Sequence, residues 1–285
     1  MLKQIVCLAV IIIIGLKPFS LQAGNENWSL GAKQAGMGFT SVTLFDQWST
    51  SQNPAGLARI TIPSLGLFHE NRFLIPEMSL KAFSFVLPTN EAGTFGLDLS
   101  YFGYTKYYEL KTGIAYGIII GKRLAIGSKI NLLNTHFAEL YGKKLTVAAD
   151  LGFILEAADN LFIGGHIYNL TRSKLAVYND ERVPTVLKFG IGYRFTEKLY
   201  ITTEAEKDLL YKIIYKVGLD YRFLNNLYMR AGATTSPDRL SFGLGYHIKK
   251  IRADIAFSYH QILGISPHLS FIYQLKYETT ANVAN

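Results

Sequence analysis

Apolar and polar positions alternate one for one through the C-terminal half of the chain. In residues 185–195 (TVLKFGIGYRF) one set holds Leu187, Phe189, Ile191, Tyr193 and Phe195, and the other Val186, Lys188, Gly190, Gly192 and Arg194. Residues 211–223 (YKIIYKVGLDYRF), 240–249 and 268–278 repeat the pattern. Since successive side chains of a strand point to opposite faces, each stretch predicts a strand with one apolar face. Extended along the chain, the pattern predicts 14 strands near 62–70, 77–87, 93–103, 110–120, 123–135, 144–156, 160–170, 185–195, 198–206, 211–223, 226–234, 239–249, 251–261 and 268–278.

Two architectures alternate in this way. A soluble sandwich buries its apolar faces, whereas a membrane barrel turns them to lipid and its polar faces to the lumen. Most of these segments run to about 9–13 residues, long for globular sheets and suited to a tilted bilayer crossing. The connections alternate too. Tight turns are expected after even-numbered strands, and longer ones, at 69–76, 104–109, 137–143, 171–184 and 261–267, after most odd-numbered strands. Short periplasmic turns and longer outer loops characterise an outer-membrane barrel. Tyr193, Phe195, Tyr221, Phe223, Tyr246 and Tyr277 fall at one level near strand ends, where an interfacial aromatic girdle sits. The expected fold class is all-β, a 14-stranded antiparallel transmembrane β-barrel over 62–278, followed by a tail at 279–285.

Composition and charge narrow the compartment and the partners. Lys3, an apolar run over 5–16 and Ser20-Leu21-Gln22-Ala23 before Gly24 read as a cleaved export leader over 1–23. Cys7, the single cysteine, lies inside it, so no disulfide is expected. Loss of Lys3 and Lys17 lowers the formal charge from +8 to +6. No Lys/Arg run exceeds two residues, which disfavours nucleic acid as a partner. The chain holds 18 Tyr, 18 Phe and 25 Gly, yet beyond the leader no apolar run reaches the length of a membrane helix.

Residues 24–61 do not alternate. They begin Gly-rich, allow a short helix near 46–51, and carry the turn-forming Asn53-Pro54-Ala55-Gly56, in which Pro fixes φ and Gly frees it. A barrel of this size has room for an inserted plug, and the expected role of Asn53, Pro54, Ala55 and Gly56 is that of a gate. Charges of both signs, Lys188, Arg194, Glu204, Glu206, Lys212, Lys216, Asp220, Arg222, Arg230, Arg252 and Asp254, are expected to face the lumen and pair as ladders.

The stretch LGAKQAGMGFTSVTLFDQWSTSQNPAGLA resembles the N-terminal signature of the FadL-like outer-membrane superfamily, in its PorV/PorQ branch. There a Gly-Ala-x-x-Ala-Gly-Met-Gly run leads to an acidic residue and then Asn-Pro-Ala-Gly-Leu. The likeness continues at 183–207, 227–245 and 254–270. It implies a 14-strand barrel with a hatch in its lumen and an outer membrane of a Gram-negative bacterium as its site. The outer loops are compact for PorV, and no periplasmic signalling box precedes the hatch. Outer-membrane lipid is then a partner, together with either a hydrophobic or amphipathic ligand in transit or, alternatively, proteins of a type IX-like secretion route.

Enzymatic chemistry is not expected. HExxH, GxSxG, CxxC and GxxxxGK[ST] are absent, so no catalytic, metal or cofactor site is predicted. His247, His260 and His268, near Asp254 and Ser270, allow a third reading, an outer-membrane hydrolase.

Overall fold

The computed structural model describes residues 24–89, 92–137, 142–174 and 182–275. Fourteen strands close into an antiparallel barrel in sequence order. They are β1 (Ser64–Asn71), β2 (Ser79–Pro88), β3 (Thr94–Tyr104), β4 (Tyr107–Ile120), β5 (Leu124–Phe137), β6 (Gly142–Ala158) and β7 (Leu161–Tyr168), then β8 (Val186–Thr196), β9 (Leu199–Asp208), β10 (Ile214–Arg222), β11 (Leu227–Thr234), β12 (Arg239–Ile248), β13 (Ile251–His260) and β14 (Gly264–Gln274). Pairing of β1 with β14, from Ser64↔Gln274 to Glu70↔His268, leaves no sheet edge, as a lipid-embedded sheet requires.

The period-two pattern settles which face is which. Ile114, Ile130, Leu145 and Phe242 are each more than 60% exposed, whereas their neighbours Ala115, Leu133 and Ala148 are sealed on the other side. An apolar surface of this extent suits lipid rather than water. Leu187, Phe189, Ile191, Tyr193 and Phe195 lie on it as the sequence predicts. Of the expected girdle, Tyr277 lies outside the described residues, and the other five face outward.

Loop asymmetry survives in part. The two longest connections follow odd-numbered strands, at 72–78 and 169–185. The longer loops expected at 104–109 and 261–267 are instead tight, because the strands keep pairing to Tyr104↔Tyr107 and His260↔Gly264. Conversely, β10 begins at Ile214, and Tyr211 to Ile213 belong to the β9–β10 connection. The weakly alternating β7 has a packing reason. Gly165 faces outward beneath the Phe153 ring, where a Cβ would lie 2.3 Å from a ring carbon.

The core lies inside the barrel, around residues 24–63. This N-terminal segment carries α1 (Ala32–Gly36), α2 (Ser49–Gln52) and a 3₁₀ helix (Pro54–Arg59). From Leu30 to Leu57 every residue except Lys33 and Phe45 is buried. Helices of four to six residues are unstable alone, so the wall supplies their stability. Trp48 packs edge-to-face on Phe68 of β1, and Trp28 lies 4.6 Å from Phe102 of β3. No helix among the described residues is long and apolar enough to cross a membrane.

Candidate functional site

The Asn53-Pro54-Ala55-Gly56 turn is built from its own residue types. Asn53 Oδ1 accepts from the Ala55 amide at 3.2 Å, capping the 3₁₀ helix that Pro54 opens. Its Nδ2 donates to the Val42 carbonyl at 2.6 Å and to the Phe153 carbonyl of β6 at 3.2 Å. One side chain therefore ties the turn to the rest of the segment and to the wall. Gly56 must be glycine here, since a Cβ would stand 2.3 Å from the Leu44 carbonyl oxygen.

The wall answers with inward-facing glycines. A Cβ on Gly127 of β5 would lie 2.3 Å from the Ala55 nitrogen, and one on Gly152 of β6 would lie 2.0 Å from Asn53 Oδ1. Farther round, Gly218 and Gly232, paired across β10 and β11, make the same room for the Met37–Gly38 backbone. Only glycine lets two backbones approach this closely.

Charged side chains of the lumen form two ladders. In the first, Lys216 Nζ lies 3.1 Å from Glu204 and 2.6 Å from Glu206, and Lys188 lies 3.6 Å from Glu206. Both ends grip the inner segment. Glu204 Oε2 accepts from the Ser41 and Val42 amides at 2.8 and 2.9 Å, and Lys188 donates to Gln52 Oε1 at 3.3 Å. In the second, Arg230 reaches Asp220 at 3.0 Å and Asp254 at 2.6 Å, with Lys33 of α1 3.5 Å from Asp220.

The remaining charges sit elsewhere. Arg194 and Arg222 line a cavity of about 310 Å³ at the short-turn end. Lys212, outside β10, lines one of about 690 Å³ at the long-loop end. Arg252 is cross-strand to His247 and makes no ion pair among the described residues. The period-two pattern therefore identifies the inward face but not which charges meet.

Several contributors were not among the charges expected to pair. Lys129 and Asp98 form a buried pair at 2.7 Å across the lumen side of β5 and β3. Asp46, in the inner segment, accepts from Gln34 Nε2 at 2.7 Å and from the Trp48 amide at 2.9 Å. Burial pushes its carboxyl up from the usual range, against the pull of Lys33. Arg239 stands 5.7 Å above the Phe39 ring in the larger cavity, its Nε buried without an acceptor.

The histidines do not converge on one nucleophile. His268 Nε2 lies 3.0 Å from Ser258, not Ser270, and Ser270 Oγ accepts from the Ala32 amide. His247 lies 3.4 Å from Asp254, which Arg230 already engages. No group of three or more side chains suited to a metal occurs among the described residues.

No protein-family model matches the sequence, and no curated protein matches it. Solved structures do match the fold. The toluene transporter TbuX of Ralstonia pickettii is 14% identical over 91% of this chain and 100% of its own, with a TM-score of 0.64. The toluene transporter TodX of P. putida is 15% identical over 87% and 99%, at 0.66, and a FadL homologue of Pseudomonas aeruginosa is 13% identical over 86% and 98%, at 0.63. These neighbours are transport proteins rather than enzymes, and what the likeness establishes is the architecture: the chain has the 14-stranded barrel fold of the FadL-type transporters.

Proposed function

We propose that the chain is an outer-membrane channel for hydrophobic and amphipathic small molecules, exported by a leader cleaved after Ala23, with residues 24–61 as its hatch. The observation that carries this reading is an inner segment buried in the lumen at almost every residue from Leu30 to Leu57, beneath a partly apolar vestibule. The cavity of about 690 Å³ at the long-loop end is bounded by Trp28, Phe39 and Tyr211 and floored by Lys188 and Lys216. With short turns facing the periplasm, this vestibule opens outward. A volume of this order suits one small ligand.

Passage then requires the hatch to yield, and its charged seat is the coupling point. Lys216 holds Glu204, and Glu204 holds the Ser41 and Val42 amides. A ligand settling at the vestibule floor competes for Lys188 and Lys216 and weakens the hold on 41–42. Asn53, Pro54, Ala55 and Gly56 form the second seat, the gate proper, held by hydrogen bonds and close backbone contact. The other inward charges, Arg194, Arg222, Arg230, Asp220, Asp254 and Arg252, set the polarity of the lumen and its inner mouth.

The PorV/PorQ branch and an accessory role in secretion are supported by sequence resemblance alone. The fold neighbours are hydrocarbon transporters or channels, which favours transport. Uptake decides the matter. A deletion strain carrying the gene should take up toluene or long-chain amphipaths faster than the empty strain. Unchanged uptake across neutral aromatics, alkanes and long-chain acids would refute the reading.

A further inference from the structure

Glu109, on the inward face of β4, is 2% exposed. Its Oε1 accepts from the Tyr107 hydroxyl at 2.5 Å, but its Oε2 is buried with no hydrogen-bond partner. An acceptor left unmade in this way is costly, the more so for a charged group. The neighbouring cation is engaged elsewhere. Lys111 donates to the Glu26 carbonyl and stands 5.3 Å from the Trp28 ring and 5.7 Å from that of Tyr168.

Gly24 lies against this carboxylate. Its φ is +92°, and a Cβ built on it would stand 3.0 Å from Glu109 Oε1 and 3.0 Å from the Tyr107 hydroxyl. The next residue fixes the chain there. Asn25 is fully buried, with its Nδ2 donating to Thr135 Oγ1 at 2.7 Å and its carbonyl accepting from the Tyr168 hydroxyl at 3.1 Å. The bond before Gly24 is the one the leader pattern marks for cleavage.

We infer that cleavage between Ala23 and Gly24 supplies the missing donor, and that the new α-ammonium of Gly24 pairs with Glu109. An export peptidase adds water across the peptide bond. The oxygen goes to the Ala23 carbonyl, which leaves as a carboxylate, and both hydrogens of the water go as protons to the nitrogen, which is left as an ammonium. The nitrogen and the built Cβ are substituents of one tetrahedral carbon, so a turn of about 120° about Cα–C carries one into the place of the other. A peptide-linked Gly24 makes that turn only by dragging Ala23 with it, whereas a terminal glycine turns freely. The ammonium then stands about 3 Å from the carboxylate, the distance of a charge-assisted hydrogen bond. Processing thereby pins the start of the inner segment in the long-loop half of the lumen, and only the exported chain carries the pin.

The inference rests on export with leader removal and not on what the barrel transports. The test uses the mature barrel purified from outer membranes. Its intact mass should place Gly24 first. At pH 8 an activated ester should acylate the α-amine of the folded barrel at least about 10-fold more slowly than that of the heat-unfolded chain, a ratio equivalent to about 1.4 kcal/mol. Glu109→Gln should remove most of that protection while the barrel still migrates differently boiled and unboiled. A terminus shielded only by burial would stay slow in Glu109→Gln, and that result overturns the pair, as does a mature chain beginning elsewhere. If Glu109→Gln does not fold, the acylation rate of the wild type against pH decides. A paired amine should titrate at least one unit above the free value of about 8, and a midpoint at or below 8 overturns the inference.

Discussion

Glu204→Ala isolates one seat of the inner segment from the wall that bears it. In the native barrel the carboxylate accepts two backbone amides, Ser41 at 2.8 Å and Val42 at 2.9 Å, and Lys216 stands 3.1 Å away. Hydrogen bonds to a charged acceptor contribute about 1.5–3 kcal/mol each. Lys216 retains Glu206 at 2.6 Å after the change, so the loss falls mainly on the two amides. Partial rehydration of the vacated site offsets some of it, leaving about 3 kcal/mol against local opening, or roughly 150-fold in the opening equilibrium. Amide hydrogen exchange reads this directly, because protection against local opening scales with its free energy. Exchange at Ser41 and Val42 should accelerate by about two orders of magnitude, with β8–β10 unchanged. Glu204→Gln, which keeps an acceptor oxygen but no charge, should give an intermediate value. The reasoning is refuted by unchanged exchange at 41–42. It is refuted equally by acceleration spread over β8, β9 and β10, which would make Glu204 a support of the wall rather than of the segment.

Gly127→Val should displace the 3₁₀ helix and raise the conductance of the reconstituted barrel, since the new side chain meets backbone at 2.3 Å rather than a movable side chain; conductance at the wild-type level would count against it. Gly121→Ala is the contrast: nothing lies within 4 Å of its Cβ, yet its φ is +66°, so thermal unfolding should show a loss of about 1 kcal/mol with conductance unaltered. Asp46 predicts a pH dependence. Its carboxyl is raised in the folded segment above the ordinary 3.8, so its stabilising contribution is complete below the unfolded value and is lost as pH rises from about 3.8 through the folded one. Asp46→Asn should flatten that slope in exchange measurements at residues 44–52, because an amide in place of the carboxyl does not titrate; an unchanged slope would refute the assignment. Arg239→Gln should slow uptake of long-chain carboxylates several-fold more than uptake of toluene, because the lost guanidinium faces the vestibule without an acceptor for its Nε; equal slowing would place Arg239 in the scaffold instead.

The barrel was legible because period two is a property of every strand, and a one-residue slip would turn an apolar row into the lumen. Thus Leu240, Phe242, Leu244 and Tyr246 predicted the outward face of β12 directly, and the exposures agree. The strand ends were less legible. Tyr104↔Tyr107 and His260↔Gly264 extend two hairpins beyond the expected loops, since pairing beyond the bilayer depends on the partner strand and not on alternation. Ion pairing was legible as a face but not as a set. Lys212 shares the parity of Lys216, yet it falls beyond the start of β10 and joins the vestibule.

The inner segment is the part that local sequence could not describe, and the reason is physical. Its helices are too short to be specified by their own residues, and α1 has no side-chain N-cap. What specifies them is the wall, where glycines leave room for the segment's backbone and for the Asn53 side chain. The signal therefore lay in the strands: Gly127 and Gly152 fall on inward rows, and each is a position where the lumen could have been filled by a side chain and was not. Inward glycine in a barrel strand weakens the strand, so its recurrence on β5, β6, β10 and β11 argues for something that must pass close. A wide lumen lined this way is shaped for a backbone, and the segment before the barrel is the stretch of this chain seated there.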